Sequence, residues 1–451
     1  MAQGGEGGLF AGLFARGEAA ALVSDRAFVD AMVEVEAALL AALADLGLAP
    51  AQAARELGDV VVSGGLEIDL AELGRGTGEQ GTPIPALLGA LRRQLPDSAS
   101  AYLHMGATSQ DVIDTAMMLV ASRALDAALA DLARAADDCA ALVQRWRGSI
   151  VPGRTLLQQA LPVTFGLKAA GWLSGLDGAR ADLAAVRERE LAVQFGGAVG
   201  TLASLGDRGL EVAGGLAVRL GLPAPTLPWH TIRLRPARLA TACGATLGVL
   251  GKLGRDVVLL AQTEVAEVIE GGGEGRGGSS TMPHKRNPVG AVGLVACAQR
   301  GPGLVATMLA TMAQEHERAA GAWQAEWEPL LELLRLTGSA AAIARELLAG
   351  LEPDSDRMRA DMDLTGGLVM SESVAAALAP AVGRGAAQEL VEQAARRSLD
   401  SGRGFREALL ELPQVADTLG ADGLDAALDP AGYLGAAAEL IDRGLAEHRA
   451  G

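Results

Sequence analysis

The longest helical run sets the tightest limit on what this chain can fold into. From residue 111 to residue 147, apolar side chains recur at spacings of three and four, with no proline or glycine inside the run. A continuous helix of that length far exceeds the roughly 8–20 residues usual in globular proteins. Related patterns cover 165–193, 236–270, 289–318 and 327–348. Such helices need partners along their whole faces, which a bundle supplies within one chain or between copies. Composition agrees, because half of the residues are apolar, only 3% are aromatic, and Ala and Leu dominate. Strong helix formers outnumber β-branched and aromatic strand formers. The expected class is all-α, with oligomerisation a reasonable consequence.

Shorter elements frame these runs. Ser24 is placed to cap a helix that Gly47 stops, and a second short helix is expected at 51–57. Pro152 and Pro162 break the helical pattern at 151–165, Pro236 sits at a first helical position, and Gly301-Pro302-Gly303 marks a kink. The polar stretch 352–356 is a plausible boundary. The expected division is an N-terminal helical domain at 1–110, a central long-helix domain at 111–352 and a C-terminal helical domain at 353–451.

The net charge of −17 argues against nucleic-acid binding, which needs a basic face. Cys139, Cys243 and Cys297 are far apart and odd in number, and read as buried side chains in a reducing compartment. Neither a signal peptide nor a membrane span is evident, so a cytoplasmic protein without membrane contact is expected. The five histidines show no metal-ligand spacing and the glycine-rich segment lacks P-loop order, so neither a metal nor a cofactor is expected.

Polar residues gather at four expected helix ends: 104–111, 154–159, 229–235 and 279–287. Helix N-termini offer unpaired N–H groups and partial positive charge, which suits anions. Against an acidic background, a basic loop is better explained by an anionic ligand, and four such clusters suit a small polycarboxylate. The richest follows six glycines between residues 271 and 278. It holds Ser279, Ser280, Lys285, Arg286 and Asn287, the layout of a mobile active-site lid. Arg276, Lys285 and Arg286 are candidate carboxylate binders, while His104 and His230 are candidate proton or hydrogen-bond donors. Ser279 or Ser280 would serve as a base only with a greatly lowered pKa.

The segment GSSTMPHKRNP at 278–288 resembles the signature of the fumarase/aspartase superfamily. GATSQDVIDT at 106–115 and GRTLLQQALPVTFG at 153–166 resemble its other two shared regions, in the expected order. The resemblance implies an all-α, L-aspartase-like fold with a central bundle of long helices. It also implies a homotetramer whose active sites each draw on three subunits. Ser279 becomes the catalytic serine on a mobile loop, with Lys285 and Asn287 on substrate carboxylates. LPWHTIR at 227–233 and QEHERAAGAWQAEW at 314–327 are more similar to the 3-carboxy-cis,cis-muconate cycloisomerase branch. That branch closes a lactone by adding a carboxylate oxygen across a conjugated double bond, in the protocatechuate part of the β-ketoadipate pathway.

On this basis the catalytic candidates are Ser279, His104 and Lys285. The substrate-binding candidates are Thr108, Ser109, Gln158, His230, Arg233, Arg235, Ser280, Met282 and Asn287. The alternative is an adenylosuccinate-type lyase releasing fumarate by β-elimination. Leu156 stands where such lyases place a histidine, and it transfers no proton. Two positions depart from the branch pattern: Leu234 replaces an expected acidic residue, and Gln388 stands where the family often has His. A non-catalytic bundle is a third reading, weakened by retention of Ser279, Lys285, Asn287 and His104.

Overall fold

The computed structural model describes residues 8–271, 277–278, 281–282 and 284–450. Helices dominate, as the Ala- and Leu-rich runs require. Those used below are α1 (Asp25–Asp45), α2 (Ser109–Arg145), α3 (Phe165–Arg189), α4 (Leu234–Leu260), α5 (Val289–Ala310), α6 (Trp327–Ala349), α7 (Ser355–Met362) and α8 (Ala437–Ala450). Two small antiparallel sheets pair β1 (Ile150–Thr155) with β2 (Gln158–Thr164), and β3 (Val268–Glu270) with β4 (Leu351–Pro353).

Two compact units are present, each built from three separated segments. The first comprises Met1–Ala133, Gly178–Lys252 and Gly293–Ala344; the second comprises Arg134–Asp177, Leu253–Val292 and Arg345–Gly451. Each long helix contributes residues to both units, so proximity in sequence does not decide membership.

In the first unit, α1 begins where expected. The Ser24 hydroxyl accepts a hydrogen bond from Ala27 N at 3.3 Å, and Gly47 follows the helix with φ of +70°. This is ordinary start-and-stop chemistry, with a hydroxyl taking an orphan N–H and glycine adopting a left-handed conformation. One face of α1 buries Met32, Leu39, Leu40 and Leu43.

The second unit holds the departures from an all-helical reading. Pro152 and Pro162 do break the helix, but the segment between them forms a hairpin in which the two prolines pair. A two-stranded ribbon has only edge strands, where a missing N–H is tolerated. Its turn is Leu156–Leu157, with φ of +51° and +65°. Two-residue hairpins favour that conformation, but usually with Asn or Gly, so two leucines there carry backbone strain. Leu156 is 96% exposed.

The run expected to continue to residue 270 stops at Leu260, where Glu267 N bonds Leu260 O and Ala266 takes a positive φ. β-Branched Val268 and Ile269 then join a strand. Likewise α5 ends at Ala310 and not near residue 318, although Pro302 lies inside it. The tail forms its own apolar cluster around Val374, Leu378, Phe405, Val415 and Leu424.

Candidate active site

In the first unit, the start of α2 is the organising feature. Thr108 precedes the helix, and Asp111 in its first turn reaches back to accept Thr108 N at 3.0 Å. This is the reciprocal half of a capping box. Asp111 does more than cap, because it is 1% exposed and also accepts Gln194 Nε2, Gly196 N and Gly197 N at 2.9–3.0 Å. The chain must approach closely there: a Cβ on Gly196 would lie 2.8 Å from the His230 ring. His230 Nε2 sits 2.8 Å from Asp111 Oδ1. Because a carboxylate only accepts, Nε2 carries the ring proton. His230 is buried within this network.

One turn along α2, Asp114 meets Arg233. Arg233 Nη1 and Nη2 donate to the Asp114 oxygens at 2.7 and 3.0 Å, while Nε and Nη2 donate to Glu326 at 2.7–3.1 Å. Trp323 Nε1 donates to Asp114, Gln314 Nε2 donates to Glu326, and the guanidinium stacks 4.8 Å from the Trp229 ring. All three charged side chains are at most 4% exposed. Burial disfavours the guanidinium's charge, but Asp114 and Glu326 outweigh it and raise the Arg233 pKa. Burial raises Glu326 as well, against the opposing pull of Arg233.

His104 lies within the turn before α2, with φ of +63°. Its backbone N donates to Glu36 Oε2 at 2.9 Å, and its Nδ1 lies 2.7 Å from Glu36 Oε1. Glu36 comes from α1 and its side chain is fully buried, whereas the His104 side chain is 17% exposed. Nδ1 therefore carries a proton and points inward, which leaves Nε2 as the ring's outward, reactive nitrogen. Nearby, Arg318 Nη1 donates to Thr108 Oγ1 at 2.7 Å and Nη2 to Ala198 O at 2.9 Å. Arg318 Nε has no hydrogen-bond partner.

In the second unit, Asn287 closes the base of the loop. Its backbone N and its Nδ2 both donate to Gly277 O, at 2.8 and 3.0 Å. Gly277 has φ of +70°, and a Cβ there would sit 2.2 Å from Asn287 O, so only glycine fits. Glu270 then caps α5, accepting Gly290 N and Ala291 N at 2.8 and 3.0 Å. A carboxylate is favourable at that helix end. Lys285 is exposed and Met282 is 43% exposed. Gln158 lies exposed beside the Leu156–Leu157 turn. Ser279 and Ser280 lie outside the described residues.

Family comparison agrees with this arrangement. A model described as "Lyase" matches residues 16–300, and one described as "Adenylosuccinate lyase C-terminus" matches residues 367–444. The chain belongs to the fumarase/aspartase superfamily. A Pseudomonas aeruginosa 3-carboxy-cis,cis-muconate cycloisomerase is 46% identical over 98% of this chain and 96% of its own length. A Streptomyces davaonensis nitrosuccinate lyase is 44% identical, covering 94% of this chain and 91% of its own length. The crystal structure of the 3-carboxy-cis,cis-muconate lactonizing enzyme from Pseudomonas putida superposes with a TM-score of 0.92 and 41% identity. That likeness covers 98% of this chain and 99% of that one.

The superfamily's first region is thus a scaffold as much as a site. Thr108 and Arg318 are brought together beside Ser109, the first residue of α2. Arg233 and Arg235, expected as carboxylate anchors, are committed elsewhere. Every nitrogen of Arg233 already donates to buried partners. Arg235 Nη1 donates to the backbone oxygens of Arg189 and Glu190 at 3.0 Å, closing the end of α3. His230 is held through Nε2 by Asp111 and is 5% exposed. Residue-by-residue reading of the sequence missed Glu36 and Arg318, which are far from the clusters in sequence. A buried-face glutamate on an otherwise apolar helix stripe was the one signal available for Glu36.

Proposed function

We propose that this chain is a 3-carboxy-cis,cis-muconate cycloisomerase that closes its substrate to 4-carboxymuconolactone in aromatic catabolism. The observation that carries this reading is near-full-length likeness to relatives and solved structures bearing that name. Leu156 supports it over the adenylosuccinate alternative, since a solvent-exposed leucine at the hairpin tip cannot relay a proton.

In the proposed reaction, a substrate carboxylate oxygen adds to one end of the conjugated system. Negative charge then builds on the carboxylate adjacent to the carbon that gains a proton. Preorganised donors are the main means of stabilising such an enolate-like state. Lys285, Asn287, Thr108 and Ser109 are assigned that task, with Gln158, Met282 and Ser280 lining the substrate. Ser279 and His104 are assigned the proton chemistry, with Glu36 holding the His104 tautomer. We assign a cytoplasmic homotetramer with active sites shared between subunits. Its support is the uncovered apolar length of α5, whose most apolar window is only 33% buried within one chain.

The test is loss of ultraviolet absorbance when purified protein meets 3-carboxy-cis,cis-muconate, because lactonisation shortens the conjugation. Nitrosuccinate is the comparison substrate, since a relative of nearly equal identity carries that name. Faster turnover of nitrosuccinate than of the muconate would overturn the assignment. Ser279→Ala and Lys285→Ala should each abolish the absorbance change. Unchanged rates would mean the loop is not catalytic.

A further inference from the structure

Apart from the residues assigned to catalysis, the second unit buries a carboxyl pair of which one member receives no hydrogen bond. Glu267, just before β3, has a fully buried side chain, and both its oxygens accept from Arg154 of β1, at 2.7 and 2.8 Å. Asp361 of α7 is 1% exposed and lies within side-chain hydrogen-bonding reach of Glu267. Neither Asp361 oxygen receives a hydrogen bond, and Gln159 Oε1 is a third buried acceptor without one. Gln159 Nε2 meanwhile donates to Asp361 O at 2.9 Å, tying β2 to α7.

The charged groups around the pair are Arg154 and Arg357, the latter from the pair's own helix. Arg357 spends Nε on Val265 O and Nη2 on Glu264 O. Its Nη2 comes within 3.0 Å of Asp361 Oδ1 but directs no hydrogen at it. Two facing carboxylates with no hydrogen between them are costly in a buried site, and one proton converts that repulsion into a hydrogen bond.

We propose that Glu267 and Asp361 share one proton, and that this proton-bridged pair is the positioning element for the β1–β2 hairpin that presents Gln158. Arg154 and Gln159, opposite one another in the hairpin, grip the two members of the pair. Glu267 also leads through β3 to Glu270, which caps α5, so the same pair anchors the strand entering the catalytic loop. The bridging hydrogen comes from solvent on folding, and no other bond changes. The direction of titration agrees: burial raises Glu267, Arg154 opposes it and Asp361 raises it further. The bridge is therefore present at low pH and lost as pH rises through that raised value.

The consequence for Gln158 rests on the cycloisomerase reading, but the test does not. Infrared spectra of the full chain, recorded as a pH series rising through and beyond the ordinary carboxyl range, should show a protonated-carboxyl C=O band that outlasts that range. Both Glu267→Gln and Asp361→Asn should remove it, and Glu326→Gln should leave it in place. Hydrogen exchange of hairpin amides should accelerate by roughly tenfold in Asp361→Leu, the effect of losing about 1.4 kcal/mol of local protection. It should stay at the parent rate in Asp361→Asn, whose amide supplies the missing donor. In the parent, exchange should quicken as pH rises beyond the intrinsic increase, and in Asp361→Asn that excess should vanish. Absence of a carboxyl band removed by both substitutions, or equal exchange in the Asn and Leu variants, would overturn the proposal.

Discussion

His104 Nδ1 stands 2.7 Å from Glu36 Oε1, and the same carboxylate takes the His104 backbone N–H at 2.9 Å. One buried acid thus fixes both the position and the tautomer of a histidine whose own backbone is in a left-handed conformation. A histidine held at two points keeps a single orientation, which is what a proton-transfer group requires.

Removing the imidazole should therefore cost more than removing a contact. His104→Ala is expected to lower kcat for lactonisation by about 10²–10⁴-fold. Glu36→Gln should act on kcat more than on KM, because it disturbs the ring and leaves the carboxylate binders in place. Steady-state kinetics of the two variants check this. An effect confined to KM would assign His104 to binding alone.

Arg233 offers a stability prediction. Replacing it with Met keeps the bulk but leaves Asp114 and Glu326 buried without their cation. The expected loss is about 3–5 kcal/mol, the usual result of breaking a buried pair from one side. Urea unfolding measures it. A loss below about 1 kcal/mol would fit only a solvated surface pair.

Glu326 gives a pH dependence of definite sign. Its carboxyl is raised by burial, so the folded chain holds a proton there that the unfolded chain gives up earlier. Its contribution is present below the ordinary carboxyl range and is lost as pH rises through the raised value. Relative to the parent, Glu326→Gln should gain stability as pH rises over that interval. Denaturation midpoints of both proteins across the acidic-to-neutral range read this directly.

The cysteines should be inert in the native chain. Burial pushes Cys139 and Cys243 up to about 12 and Cys297 up to about 11. A buried thiol without thiolate character is a poor nucleophile. A thiol reagent should label none of the three until denaturant is added. Rapid labelling of folded protein would contradict the packing.

Leu156 and Leu157 mark where local rules and tertiary context part. Two prolines were present in the sequence at 151–165, but two leucines in a hairpin turn violate turn preferences. The segment therefore read as a break and not as a ribbon. The early end of α4 was hidden for a related reason: helical spacing persists in the sequence beyond the point where strand pairing wins.

By itself, the sequence determined the helical class, the start of α1, the existence of the long helix expected from residue 111, and the superfamily. All of these depend on local spacing, capping and contiguous motifs. Only the tertiary structure decided the employment of individual charges. Arg233, Arg235 and His230 look like ligand binders in a linear string, yet burial of Asp111, Asp114 and Glu326 claims two of them, and the end of α3 claims the third. Glu36 became visible only beside His104, 68 positions away. A buried ion's partner is set by which faces pack together, and that information is spread over segments no local window contains.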